Sequence, residues 1–85
     1  MSIIFAGILT IIIMESIEEK IKNSIKEARK NSGLSQTELG KIIDVSHTAV
    51  SSWENGVNIP NVRDVWKMAD ELGMSIDELV GRDEY

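Results

Sequence analysis

The single histidine of this 85-residue chain, His47, sits in the run SHTAVSSWENG, residues 46 to 56, among Thr48, Ser51 and Ser52. These side chains donate and accept hydrogen bonds without carrying a strong charge. Hydrolysis or metal-assisted catalysis asks for a nucleophile beside a base, or for several His, Asp and Glu at ligand spacing, and neither accompanies His47. The absence of cysteine excludes a disulfide scaffold, a thiolate metal site and a cysteine nucleophile together, and fits a reducing compartment. No glycine-rich phosphate loop appears. The expectation is a protein that is not an enzyme, needs no cofactor or metal, shows no evident small-molecule site, and works by hydrogen bonding.

A net charge of −5 argues by itself against a nucleic-acid partner, because Lys and Arg neutralising phosphates supply most non-specific affinity. The distribution reverses that. Lys20, Lys22, Lys26, Arg29, Lys30 and Lys41 face only Glu27 and Glu38 in the stretch from 20 to 41, a local +4. From Asp44 to Tyr85 the balance is −6, and Glu15, Glu18 and Glu19 add −3. The chain is dipolar, and only one side of it need meet an anion.

The elements that would position these residues all read as helix. Ile17, Ile21, Ile25 and Ala28 form an apolar stripe that ends near Asn31-Ser32-Gly33. Lys22, Lys26 and Lys30 form one outer row, either a solvated face or half of an external ion pair. Ser35-Gln36-Thr37-Glu38 is a capping box opening a second helix, with Leu39, Ile42 and Ile43 inward. Gly40 inside it costs roughly 1 kcal/mol against alanine, so another backbone should come close there. Ser46 caps a third helix through Glu54 that Asn55-Gly56 stops, with Ala49, Val50 and Trp53 inward. Pro60 marks a loop. Val62, Val65, Trp66, Met68, Ala69 and Leu72 give a fourth helix closed by Gly73, and both tryptophans are expected in the core. Ser75-Ile76-Asp77-Glu78 opens a fifth helix, with Ile76 and Leu79 inward. Asp70, Glu71, Asp77, Glu78, Asp83 and Glu84 read as a solvated face. The fold class is all-α, with five short helices and no strand.

Two helices of about eight residues, a tight turn between them, a small residue in the first and an exposed polar face on the second describe a helix-turn-helix. With LSQTELG, SSWENG and MADELGMSIDEL in place, residues 21 to 80 resemble the xenobiotic-response-element family of helix-turn-helix regulators, to which small phage repressors belong. The resemblance implies a five-helix DNA-binding domain of the phage-repressor type, a cytoplasmic transcriptional regulator and repressor. It would act as a homodimer on double-stranded DNA, with helix 46–54 in the major groove. His47, Thr48, Ser51 and Ser52 match base-reading positions. Gln36, with Ser35 at the same helix start, matches a phosphate contact, as do Asn55 and the loop to Asn58. Arg29 and Glu54 match a structural ion pair.

Two departures stand out. Asp44 replaces the turn glycine, tolerable because Asp accepts the left-handed conformation better than most residues. The loop Val57-Asn58-Ile59 lacks a lysine, which lowers the expected phosphate affinity and its salt dependence. The reading helix also lacks Gln, Arg or Asn before Asn55, so modest direct readout and reliance on DNA shape are expected. A protein-interaction module or antitoxin-like adaptor with weak DNA binding is the alternative, since fold alone does not fix function. The small, uncharged face from 47 to 52 favours DNA over it.

Before residues 15 to 85 stands MSIIFAGILTIIIM, residues 1 to 14, without a charge. A membrane span needs about 20 apolar residues, and a secretory signal needs a basic n-region and a small-residue cleavage site, so no membrane association is expected. Two readings stay open. Translation starts at Met14, or the β-branched run is an arm that pairs with its mate in a dimer.

Overall fold

The computed structural model describes residues 16 to 82, and the apolar run 1–14, Asp83 and Glu84 lie outside the described residues. Among the described residues five helices follow one another: α1 (Ile17–Asn31), α2 (Gln36–Ile43), α3 (His47–Glu54), α4 (Val62–Leu72) and α5 (Ile76–Val80). No strand occurs among the described residues. Each start has a side-chain cap: Ser16, Ser35, Ser46, Asn61 and Ser75 accept from the amide three residues on. Capping boxes form at α2 and α5, as the sequence predicts.

α1 packs on α3 and α5, α2 on α3 and α4, and α4 on α5. Ile25, Leu39, Ile43, Val50, Met68 and Leu79 are fully buried between them, with Ala28, Trp53 and Ala69 completing the core. Every helix contributes, and α3 is held by Val50 and Trp53 from below. At about 25 cal/mol per Å² of apolar area, such a core is the main stabilising term in a domain of this size.

Five expected core residues face outward instead: Ile17, Ile42, Val62, Trp66 and Ile76 are all 40% exposed or more. The cause is helical phase. In α4 the buried seam runs through Val65, Met68, Ala69 and Leu72, an i, i+3, i+4, i+7 row. Val62 and Trp66 belong to a different ridge, rotated by about 100°. In α2, Leu39 and Ile43 hold the centre of the inner face and Ile42 falls on its flank. Ile17 and Ile76 lie in the first turns of their helices, where only the later residues reach the core.

The turn between α2 and α3 explains Gly40. A Cβ on Gly40 would stand 2.7 Å from the Val45 carbonyl oxygen, while the Val45 amide donates to the Gly40 carbonyl at 2.8 Å. Asp44 takes the left-handed conformation at φ 60°, ψ 49°, which redirects the chain within three residues. Among the described residues, no helix is long and apolar enough to cross a membrane.

Candidate nucleic-acid interface

α3 begins with a satisfied end: Ser46 Oγ accepts from the Ala49 amide at 3.1 Å. That cap leaves His47 and Thr48 exposed on the first turn, with Ser51 and Ser52 half-buried one turn later. Ala49, Val50 and Trp53 face the interior. One side of α3 therefore anchors, and the other offers hydroxyls, a methyl and an imidazole to whatever approaches.

The loop after α3 is tied to that outer side. Asn55 Nδ2 donates to Ser51 Oγ at 3.1 Å, and Asn58 Nδ2 donates to Ser52 Oγ at 2.8 Å. The Val57 amide donates to the Ser52 carbonyl at 3.0 Å. The four residues expected to divide between bases and phosphates thus form two hydrogen-bonded pairs, through which the asparagine amides hold the loop to α3.

At the start of α2, Ser35 and Glu38 are occupied with each other. Ser35 N donates to Glu38 Oε1 at 2.9 Å and Glu38 N donates to Ser35 Oγ at 3.0 Å. The bond from the Ser35 backbone, with a smaller contribution from its side chain, holds the Glu38 carboxyl below its usual range. Gln36 points elsewhere than expected of a phosphate contact: its Nε2 donates to Glu54 Oε1 at 3.1 Å.

That bond joins Gln36 to the ion pair. Arg29 Nε donates to Glu54 Oε2 at 2.6 Å and Nη2 donates to Glu54 Oε1 at 2.9 Å, a two-pronged pairing. Arg29 Nη1 also donates to the Leu34 carbonyl at 2.7 Å. The side chains are 11% and 1% exposed. Burial pushes the Glu54 carboxyl up, but bonds from Arg29 and Gln36, aided by the charges of Arg29 and Lys26, outweigh it and hold the group below its usual range. Arg29, Gln36 and Glu54 thus fasten α1, α2 and the last residue of α3 at one point.

Two basic residues of the outer row on α1, Lys22 and Lys26, bear on this site. Lys22 runs its side chain against Gly56, 3.3 Å from where a Cβ would stand there, and shares a groove with Val57, Asn58 and Ile59. Its Nζ also pairs with Glu19 at 3.1 Å, one turn back on the same helix. Lys26 acts electrostatically on Glu54. Nothing local in the sequence signals either position, because it depends on how α1 lies across the end of α3.

Comparison with known proteins agrees with this arrangement. A family model described as Helix-turn-helix matches residues 25–79. The chain is 36% identical over 63 residues to the cryptic phage CTXphi transcriptional repressor RstR of Vibrio cholerae serotype O1, covering 74% of this chain and 56% of that protein. It is 29% identical over 65 residues to the HTH-type transcriptional activator BcrR of Enterococcus faecalis, covering 76% of this chain and 32% of the activator. The match thus spans about half of one relative and a third of the other. Among solved structures, the P22 c2 repressor protein in complex with synthetic operator 9T superposes with a TM-score of 0.68 at 32% identity, over 74% of this chain and 96% of that one.

Proposed function

The chain belongs to the helix-turn-helix family, and from that footing we propose that it is a DNA-binding transcriptional regulator, a repressor acting as a homodimer. α3 enters the major groove; His47 and Thr48, with Ser51 and Ser52, read base edges. The N-terminus of α2 with Ser35 and Gln36, together with Asn55, Asn58 and the nearby Lys22, receives phosphates. The observation that carries this reading is the two-sided α3, capped and buried on one side and presenting four small polar residues on the other. The superposition on a repressor bound to operator DNA supports it, and the repressor assignment rests on that neighbour and on RstR.

Placement within the xenobiotic-response-element branch and a cytoplasmic location belong to the same proposal. Two copies place their α3 helices about 34 Å apart, one helical turn of DNA, so the preferred site should be two-fold related. Selection of bound oligonucleotides from a random pool tests this. The expected result is an inverted repeat whose half-site preference relaxes in His47→Ala and Thr48→Ala. A pool that yields no motif, with both variants binding as the parent does, refutes it.

A further inference from the structure

We propose that the outer ridge of α4 is the surface on which a second copy of this chain docks, with the two α4 helices antiparallel about Trp66. The proposal rests on the two-copy part of the reading above and adds the surface. Val62 is 76% exposed and Trp66 is 61% exposed. One turn apart on the same ridge, they present an aromatic and a branched side chain to water, with Asp70 continuing the row and Arg63 flanking it. Exposed tryptophan is uncommon without a partner, and Trp is enriched at the buried centres of interfaces.

The charges decide the occupant and its direction. Arg63 lies toward the N-terminus of α4 and Asp70 toward its C-terminus. Arg63 Nε reaches Asp64 Oδ1 at 3.7 Å, a loose contact, and its side chain stays 73% exposed. A two-fold axis beside Trp66 sets each Trp66 against the other and each Arg63 near the second copy's Asp70. Along the helix axis Arg63 lies about 4.5 Å from Trp66 on one side and Asp70 about 6 Å on the other, a mismatch that a flexible guanidinium absorbs. A parallel arrangement would instead bring Arg63 against Arg63 and Asp70 against Asp70. The ridge is therefore self-complementary in one orientation, as an isologous contact requires.

The apolar part of the ridge is small, about one Trp and one Val per copy, which is well below the area of a permanent dimer. The dimer is concentration-dependent, and a two-fold DNA site would strengthen it by holding both copies together.

Sedimentation equilibrium of the full chain without DNA tests the interface, with circular dichroism confirming that each variant is folded. The parent is expected to show a reversible monomer–dimer equilibrium. Trp66→Glu should raise its dissociation constant by about tenfold or more. Arg63→Glu and Asp70→Lys should each raise it by about fivefold, and the double exchange should return it to within about twofold of the parent. A parent that stays monomeric at its highest soluble concentration, or a dimer indifferent to all four variants, overturns the proposal. Dimerisation that responds as stated while no DNA is selected upholds this interface and overturns the regulatory reading instead.

Discussion

Arg29, Glu54 and Gln36 carry the heaviest consequence per residue. Glu54 is a carboxylate with a side chain 1% exposed, satisfied by three hydrogen bonds from two side chains on two other helices. Removing the guanidinium strands that charge, which costs about 3–5 kcal/mol for a buried pair. Arg29→Ala should therefore lose most of the domain's stability, read as a large drop in the urea midpoint, before any change in base preference. Gln36→Ala removes one bond to a charged group and should cost about 1.5–3 kcal/mol. The pH dependence follows from Glu54. Its carboxyl is held below its usual range in the fold, so the stabilisation is full above the unfolded value of about 4.3. It is lost as pH falls through the lower folded value. Acid melting curves should show a limb below about pH 4.3 that is attenuated in Arg29→Ala; equal limbs in parent and variant would contradict the assignment.

At the level of elements, the α2–α3 turn is the joint that sets the direction of α3. Gly40→Ala gains up to about 1 kcal/mol of helix propensity, yet its methyl would stand 2.7 Å from the backbone oxygen of Val45. Backbone cannot yield as a side chain can, so the variant should be less stable and its melting temperature lower. Asp44→Gly should act oppositely. The left-handed backbone at Asp44 costs a non-glycine residue about 1–2 kcal/mol, and a negative side chain sits at a helix C-terminus, where the dipole disfavours it. Against glycine's extra entropy of about 0.5–1 kcal/mol, the exchange should stabilise by about 0.5–1 kcal/mol in thermal unfolding. Both features were legible in the sequence, because a turn writes its geometry into Gly40 and Asp44. So were the five helices, whose caps at Ser35, Ser46 and Ser75 are local signals. Val62 and Trp66 were not, since counting them into one stripe with Val65 and Met68 ignores the rotation between adjacent helical rows. Gln36 was half legible: its place at the helix start is local, while its bond to Glu54, eighteen residues on, belongs to tertiary packing.

For the whole molecule, charge decides how DNA would be met. The net −5 coexists with Lys22 lying against the loop after α3 and Lys26 close enough to act on Glu54. Asp70, Glu71, Asp77 and Glu78 lie exposed on α4 and α5, as expected. If two copies bind as proposed and both lysines of each meet a phosphate, about four phosphates would be neutralised. Log affinity against log salt should then fall with a slope of about −4 on B-form DNA, at roughly −0.9 per phosphate. Titrations at several salt concentrations check this, and Lys22→Ala should reduce the slope by about two in the dimer while leaving the selected motif intact. A slope near −10 would mean basic contacts beyond those two lysines.

The division of labour along α3 has a consequence for descent. Val50, Trp53 and Glu54 bind the helix to its neighbours, whereas His47 and Thr48 lie exposed on its first turn. Substitutions at these two positions are therefore close to neutral for stability, as surface changes generally are. If these two residues read bases as proposed, a lineage carrying this scaffold can change the word it recognises without relearning how to fold, and two such proteins in one cell can diverge in address while remaining the same machine.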